Sequence, residues 1–243
     1  MTAIEKRVTV EKQMGKFFDM DSPFMRVLNR VADLMILNFL MIICCIPIIT
    51  AGAAFTAMHY VLLKIVRGEE GYLIRGFFKS FKINFKQATL IWLLMLLIVI
   101  VYVGDCLIFN YSGMDFPKAL KIAVVVVATL LLMMAVYVFP LLARFENSIK
   151  NTFKNALILA FANLPKTITM LVCYAIPLVI GYFSDYALIF IFMFGISAPA
   201  YAAVYLYSGI FKKLEPESEE IPSDLDFSLK IEEESEENDG QTE

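Results

Sequence analysis

Apolar and polar positions follow each other along this chain in long blocks, not at the period of two that marks a strand. A block of about twenty apolar residues is long enough, at 1.5 Å per helical residue, to cross a ~30 Å hydrocarbon core. Six blocks of roughly that kind are predicted as spans, at 24–46, 51–66, 88–109, 118–142, 167–183 and 186–210. The second is the shortest and is rich in small residues (Ala51, Gly52, Ala53, Ala54, Ala57), a composition that lets helices approach closely in lipid. Pro199 falls inside the sixth and is expected to kink it. Two further stretches are amphipathic at about 100° per residue. In the first, Phe77, Phe81 and Phe85 share one side, with Lys79, Lys82 and Lys86 on the other. In the second, within 141–166, Phe145, Ile149, Phe153 and Ala160 oppose Asn147, Lys150, Asn151 and Lys154. Both read as helices lying at a membrane surface.

Composition strengthens this picture. The chain is 59% hydrophobic with a mean hydropathy of +0.70, well above soluble proteins. The expected fold is therefore an all-α integral membrane protein: six transmembrane helices and two amphipathic interface helices. The net charge of −3 hides a split, because 215–243 carries thirteen acids and one base. Three regions follow: an N-terminal segment 1–23, a six-span domain 24–214, and an acidic tail 215–243 too polar to fold alone. Residues 1–23 lack the apolar core and cleavage site of a removable leader, so the first span is expected to stay attached. The loops 64–86 and 144–166 hold ten bases, against two (Lys118 and Lys121) between the third and fourth spans. By the positive-inside tendency both termini are expected in the cytoplasm.

Little in the chain points to chemistry. There is one histidine, no phosphate-binding GxxxxGK[ST], no GxSxG and no HExxH. No catalytic, cofactor or metal residue is assigned, and the protein is expected not to be an enzyme. Cys44, Cys45, Cys106 and Cys173 fall in or at the ends of apolar blocks with no CxxC, as packing residues. Because the basic segments lie between spans, their expected partner is the lipid bilayer and not nucleic acid. Asp33, Asn38, Thr50 and His59 are the polar residues that would line a pathway if one exists. For Asp33 the ordinary reading is a local pair with Arg30, and for His59 a packed imidazole. Proline breaks at Pro47, Pro140, Pro177 and Pro199 are compatible with broken helices around a site, though ordinary kinks are commoner.

Four stretches together carry a resemblance: MGKFFDMDSPFMRVLNRVADLMILNFL, CIPIITAGAAFTAMHYVLLKIVRGEEG, FKSFKINFKQAT and FPLLARFENSIKNTFKNALILAFANLPKT. Over residues 14–212 the chain resembles the YesL family of bacterial membrane proteins, for which no molecular function is established. The resemblance implies a multi-span protein of the bacterial cell membrane, commonly encoded beside carbohydrate ABC importers, and supplies no catalytic residue. A second likeness concerns one loop. ABC permeases carry a cytoplasmic E-A-A-x₂-D-G-A-x₉-I-x-L-P loop that docks into the ATPase; here Glu146 and Leu164-Pro165 keep its outer spacing. Asn147, Ser148, Asn151, Thr152 and Ala162 depart from it.

The leading expectation is an accessory, non-enzymatic membrane subunit of a carbohydrate ABC importer. Its docking residues toward permease or ATPase subunits would be Phe77, Phe81, Phe85, Phe145, Glu146, Ile149, Phe153, Leu164 and Pro165. The alternatives are a self-sufficient carrier or channel through Asp33, Asn38, Thr50 and His59, or a scaffold whose tail binds a sensor kinase.

Overall fold

A computed structural model describes residues 23–69, 71–111, 117–184 and 186–215. Apart from Pro23 and Glu215, the expected N-terminal segment and acidic tail lie outside the described residues. The chain divides into two units, Met1–Ser208 and Gly209–Glu243. The described part of the second is helical up to Leu214, and every described helix before Ser197 belongs to the first.

Every regular element among the described residues is helical. They are α1 (Pro23–Cys45), a 3₁₀ turn (Ile48–Thr50), α2 (Ala51–Arg67), α3 (Leu73–Tyr111), α4 (Lys118–Arg144), α5 (Ile149–Ala162), α6 (Leu164–Phe183), α7 (Ala187–Phe194) and α8 (Ser197–Leu214). Five helices are long and apolar enough to cross a bilayer, and the α7–α8 pair, bent by 50°, makes a sixth candidate. This is an all-α membrane protein. Its outer surface fits lipid: Leu97, Ile100, Leu107, Val125, Leu178 and Phe190 are all exposed, and such side chains are matched by hydrocarbon and not by water.

The centre of the first unit is α2, of whose 17 residues 11 are buried. The small residues predicted for close packing are what bury it. A Cβ on Gly52 would sit 2.5 Å from both the Ala88 carbonyl oxygen and Trp92 Cβ, so only glycine lets α2 lie this close to α3. Beside that contact, Phe55 stacks on Phe139 of α4 at 5.6 Å, and Trp92 of α3 lies 6.2 Å from each ring. Three helices are thus joined through three rings.

Three expectations are corrected in detail. The Phe/Lys stretch 76–86 is not a separate interface helix. Nothing terminates the helix between Lys86 and Ala88, no glycine or proline intervening, so it forms the first third of α3, a single helix of 39 residues and about 58 Å. The second amphipathic stretch is also divided: α4 runs to Arg144, residues 145–148 are extended or irregular, and only Ile149–Ala162 is the expected separate helix. Ser148 starts it, its Oγ accepting from the Asn151 N–H. The kink expected at Pro199 occurs instead at Gly195–Ile196. Pro199 is the third residue of α8, where a missing N–H costs nothing, so it opens the second arm of the bend. Pro140 and Pro177 sit inside uninterrupted helices.

The turn between α1 and α2 meets α3 at its midpoint. Trp92 Nε1 donates to the Ile48 carbonyl at 2.8 Å, and Trp92 is 19 residues from either end of α3. About 29 Å of α3 therefore continues past this turn. The turn is closed on itself by Thr50 Oγ1, which bonds the carbonyls of Cys44 and Pro47. Ile46, Ile48 and Ile49 are each more than half exposed there, a surface suited to hydrocarbon.

Candidate functional site: two clefts among the charged helix ends

Lys64 of α2 and Arg75 and Lys79 of α3 line two adjoining clefts that share Tyr60 and Lys79. The first, of about 400 Å³, lies between the start of α1, the end of α2 and the start of α3. Helical spacing places its side chains. On α1, Arg30 and Asp33 are one turn apart and pair at 3.9 Å. On α2, Tyr60 and Lys64 are four residues apart, so the ammonium stands over the ring, 5.3 Å from its centroid. There α2 ends, because Gly68 takes φ 71° and its N–H and that of Glu69 close back on Ile65 and Lys64. The chain re-enters at α3, where the Arg75 guanidinium covers the Tyr72 ring at 5.2 Å.

The second cleft, of about 520 Å³, opens between α3 and the link leaving α4. It is bounded by Ser80, Asn84 and Gln87 on one side and by Arg144, Phe145 and Glu146 on the other. Gln87 Nε2 donates to the Asn147 carbonyl and so fastens the irregular link to α3. Asn84 is held in place by bonds to the Ser80 carbonyl and hydroxyl, at 3.1 and 3.3 Å. The two amphipathic stretches singled out in the sequence therefore meet around one opening.

The docking candidates divide on burial. Phe77 is fully buried, 5.5 Å from the Phe78 ring and 6.3 Å from Phe81, so it belongs to the interior and not to a partner surface. The ring row continues outward through Phe81 to Phe85, the exposed member. Phe145 and Glu146 line the second cleft; Ile149 and Phe153 are half-buried on α5. Leu164 and Pro165 are exposed at the start of α6, separated from Glu146 by the whole of α5.

The four pathway candidates do not converge; each serves its own neighbourhood. Asp33 faces the first cleft. Thr50 closes the α1–α2 turn. His59 is buried between two tyrosines, with Tyr207 Oη 3.1 Å from Nδ1 and Tyr174 Oη 3.4 Å from Nε2. Asn38 holds the α7–α8 break, its Nδ2 donating to Phe192 O at 2.7 Å while Oδ1 accepts from Ile196 N and Ser197 N, each at 3.0 Å. Among the described residues no three His, Cys, Asp or Glu side chains gather as a metal site would require. The aromatic partners Tyr60 and Tyr72 were not among the sequence candidates, and the signals for them are the Tyr60/Lys64 and Tyr72/Arg75 spacings.

The family-model match falls on helices that form the first cleft. Residues 34–106, which run from α1 through α2 into α3, match the family model DUF624, described as a protein of unknown function. The chain is also similar to the uncharacterized protein YteU of Bacillus subtilis (strain 168), 31% identical over 120 residues, which are 49% of this chain and 53% of YteU. The chain thus spans about half the length of that relative. No solved structure matches it. The DUF624 match and the likeness to YteU agree with the YesL-like resemblance seen in the sequence and, like it, bring no activity. Within the matched segment lie Gly52, Asn38, His59 and the α2–α3 cleft walls, so it contains the packing centre of the fold.

Proposed function

We propose that this protein is an accessory, non-enzymatic subunit of a carbohydrate ABC importer in a bacterial cell membrane, docking through the face that bears the second cleft. The observation that carries this reading is the Gln87–Asn147 bond, which joins the α3 lysine-bearing segment and the α4–α5 link around one opening. Such an opening offers a partner a polar socket beside exposed Phe85 and Glu146. Glu146, α5 and Leu164-Pro165 follow one another as the ends of a permease coupling loop do, and both termini face the cytoplasm on the balance of basic residues.

The test is purification from native membranes in a mild detergent. A permease or ATPase subunit is expected to co-elute with the wild-type chain and to be lost with Glu146→Arg, which reverses the charge at the cleft rim. A wild-type chain that elutes with neither partner would overturn the docking reading.

Orientation is tested separately, with single cysteines in a background whose four native cysteines are replaced by alanine. Lys79→Cys and Lys150→Cys should react with a membrane-impermeant maleimide only after the cells are opened. Ile48→Cys should react slowly from both sides, since the α1–α2 turn stops at the middle of α3 and presents isoleucines. Labelling of Lys79→Cys or Lys150→Cys in intact cells would reverse the topology.

A further inference from the structure

The first cleft shares only Tyr60 and Lys79 with the docking cleft, and among the described residues that line it positive charge exceeds negative. Arg30, Lys64, Arg75 and Lys79 line it, against Asp33 and Glu69. Asp33 is engaged with Arg30. Lys64, Arg75 and Lys79 make no ion pair with a described residue. They come from two helices and converge on one opening, so their mutual repulsion is a cost that an anion between them would relieve. Two of them are also oriented: Lys64 lies over Tyr60 and Arg75 over Tyr72, contacts that hold the long side chains at the cleft wall. The first turn of α3 contains no acidic residue, and Leu73 and Gly76 line the same cleft. The positive end of that helix therefore adds to the field of the side chains.

We propose that this cleft binds a phosphate group carried on a larger molecule, either an anionic lipid headgroup or a phosphorylated small molecule. Cations from two helices can share one phosphate: a monoester offers three free oxygens and up to two charges, a diester headgroup two free oxygens and one charge, and arginine can meet two of those oxygens at once. Val61, Ile65 and Leu73 supply an apolar flank for the carbon skeleton that bears the phosphate. At about 400 Å³ the cleft is within the range of small-ligand sites. The proposal does not depend on any protein partner.

The test uses the full chain in lipid nanodiscs at physiological ionic strength, where long-range attraction between exposed charges is screened. Two probes separate the sources. One compares melting temperature in phosphatidylglycerol-containing discs and in pure phosphatidylcholine discs; the other titrates glucose 6-phosphate into the phosphatidylcholine discs. At least one should stabilise the protein, and the triple variant Lys64→Gln, Arg75→Gln, Lys79→Gln should weaken that response at least about tenfold. Lys82→Gln, Lys86→Gln is the control, removing exposed charges of the same helix from outside the cleft, and should keep it. Stabilisation by phosphatidylglycerol alone assigns the site to a headgroup; stabilisation by the sugar phosphate assigns it to a soluble ligand. A protein indifferent to both probes, or a loss equal in the control, overturns the proposal.

Discussion

Gly52→Ala is expected to lower the melting temperature of the protein measurably, and Gly52→Leu to prevent recovery of a monodisperse folded species. In an ordinary helix, replacing glycine by alanine stabilises by up to about 1 kcal/mol, because alanine has less backbone freedom to lose. Here a Cβ would approach the Ala88 carbonyl oxygen and Trp92 Cβ at 2.5 Å. Neither atom is the tip of a flexible side chain, so relief requires α2 and α3 to move apart. Overpacking of this kind costs about 1–3 kcal/mol and more when backbone must shift, which outweighs the propensity gain. The displaced helix would also pull on the Phe55, Trp92 and Phe139 rings. Trp92 is the only tryptophan in the chain, so its emission reports the contact directly. The contrast is Gly104→Ala on α3, where a Cβ meets nothing within 4 Å; that variant should be neutral or slightly stabilised. If Gly52→Ala melts with wild type and leaves the tryptophan emission unchanged, the close approach of α2 to α3 is wrong.

How much of this was legible in the sequence depends on whether the signal was local. The apolar blocks placed the helices, since span length and composition are properties of contiguous residues. The small-residue run of α2 announced close packing because glycine and alanine have few other reasons to cluster in a span. The extent of α3 was not legible. An amphipathic segment followed by an apolar one looks like two elements, and only the lack of a breaker at 86–88 says that they are one. Phe77 is buried where a partner surface was expected for a related reason: periodicity tells which residues share a face, not whether that face meets lipid, a partner or the interior. Both cation–ring pairs of the first cleft, Tyr60/Lys64 and Tyr72/Arg75, are local spacings, but their convergence with α1 on one opening is not a local property.

Asn38 shows the same limit most clearly, and the second large effect is expected there. As a polar residue in a span it reads as a pathway candidate, but its partners are more than 150 residues away. A break between two helices in an apolar surrounding leaves carbonyls and N–H groups without water to satisfy them. The single amide of Asn38 meets one carbonyl and two N–H groups, and that set of partners fixes which end carries the oxygen. Asn38→Leu keeps the volume and removes all three bonds. Buried groups left unsatisfied cost about 1–3 kcal/mol each, whereas side-chain bonds between membrane helices average nearer 0.6, so the expected loss is about 2–6 kcal/mol. Global melting alone would not separate this from an ordinary packing defect. Amide hydrogen exchange would: in Asn38→Leu, exchange at Ile196 and Ser197 should accelerate far more than at the later residues of α8. Met41→Ala, one turn further along α1 and equally buried, should lower stability by making a cavity without singling out those two amides. Equal protection of Ile196 and Ser197 in the wild type and Asn38→Leu would mean that the break is held by something other than this side chain.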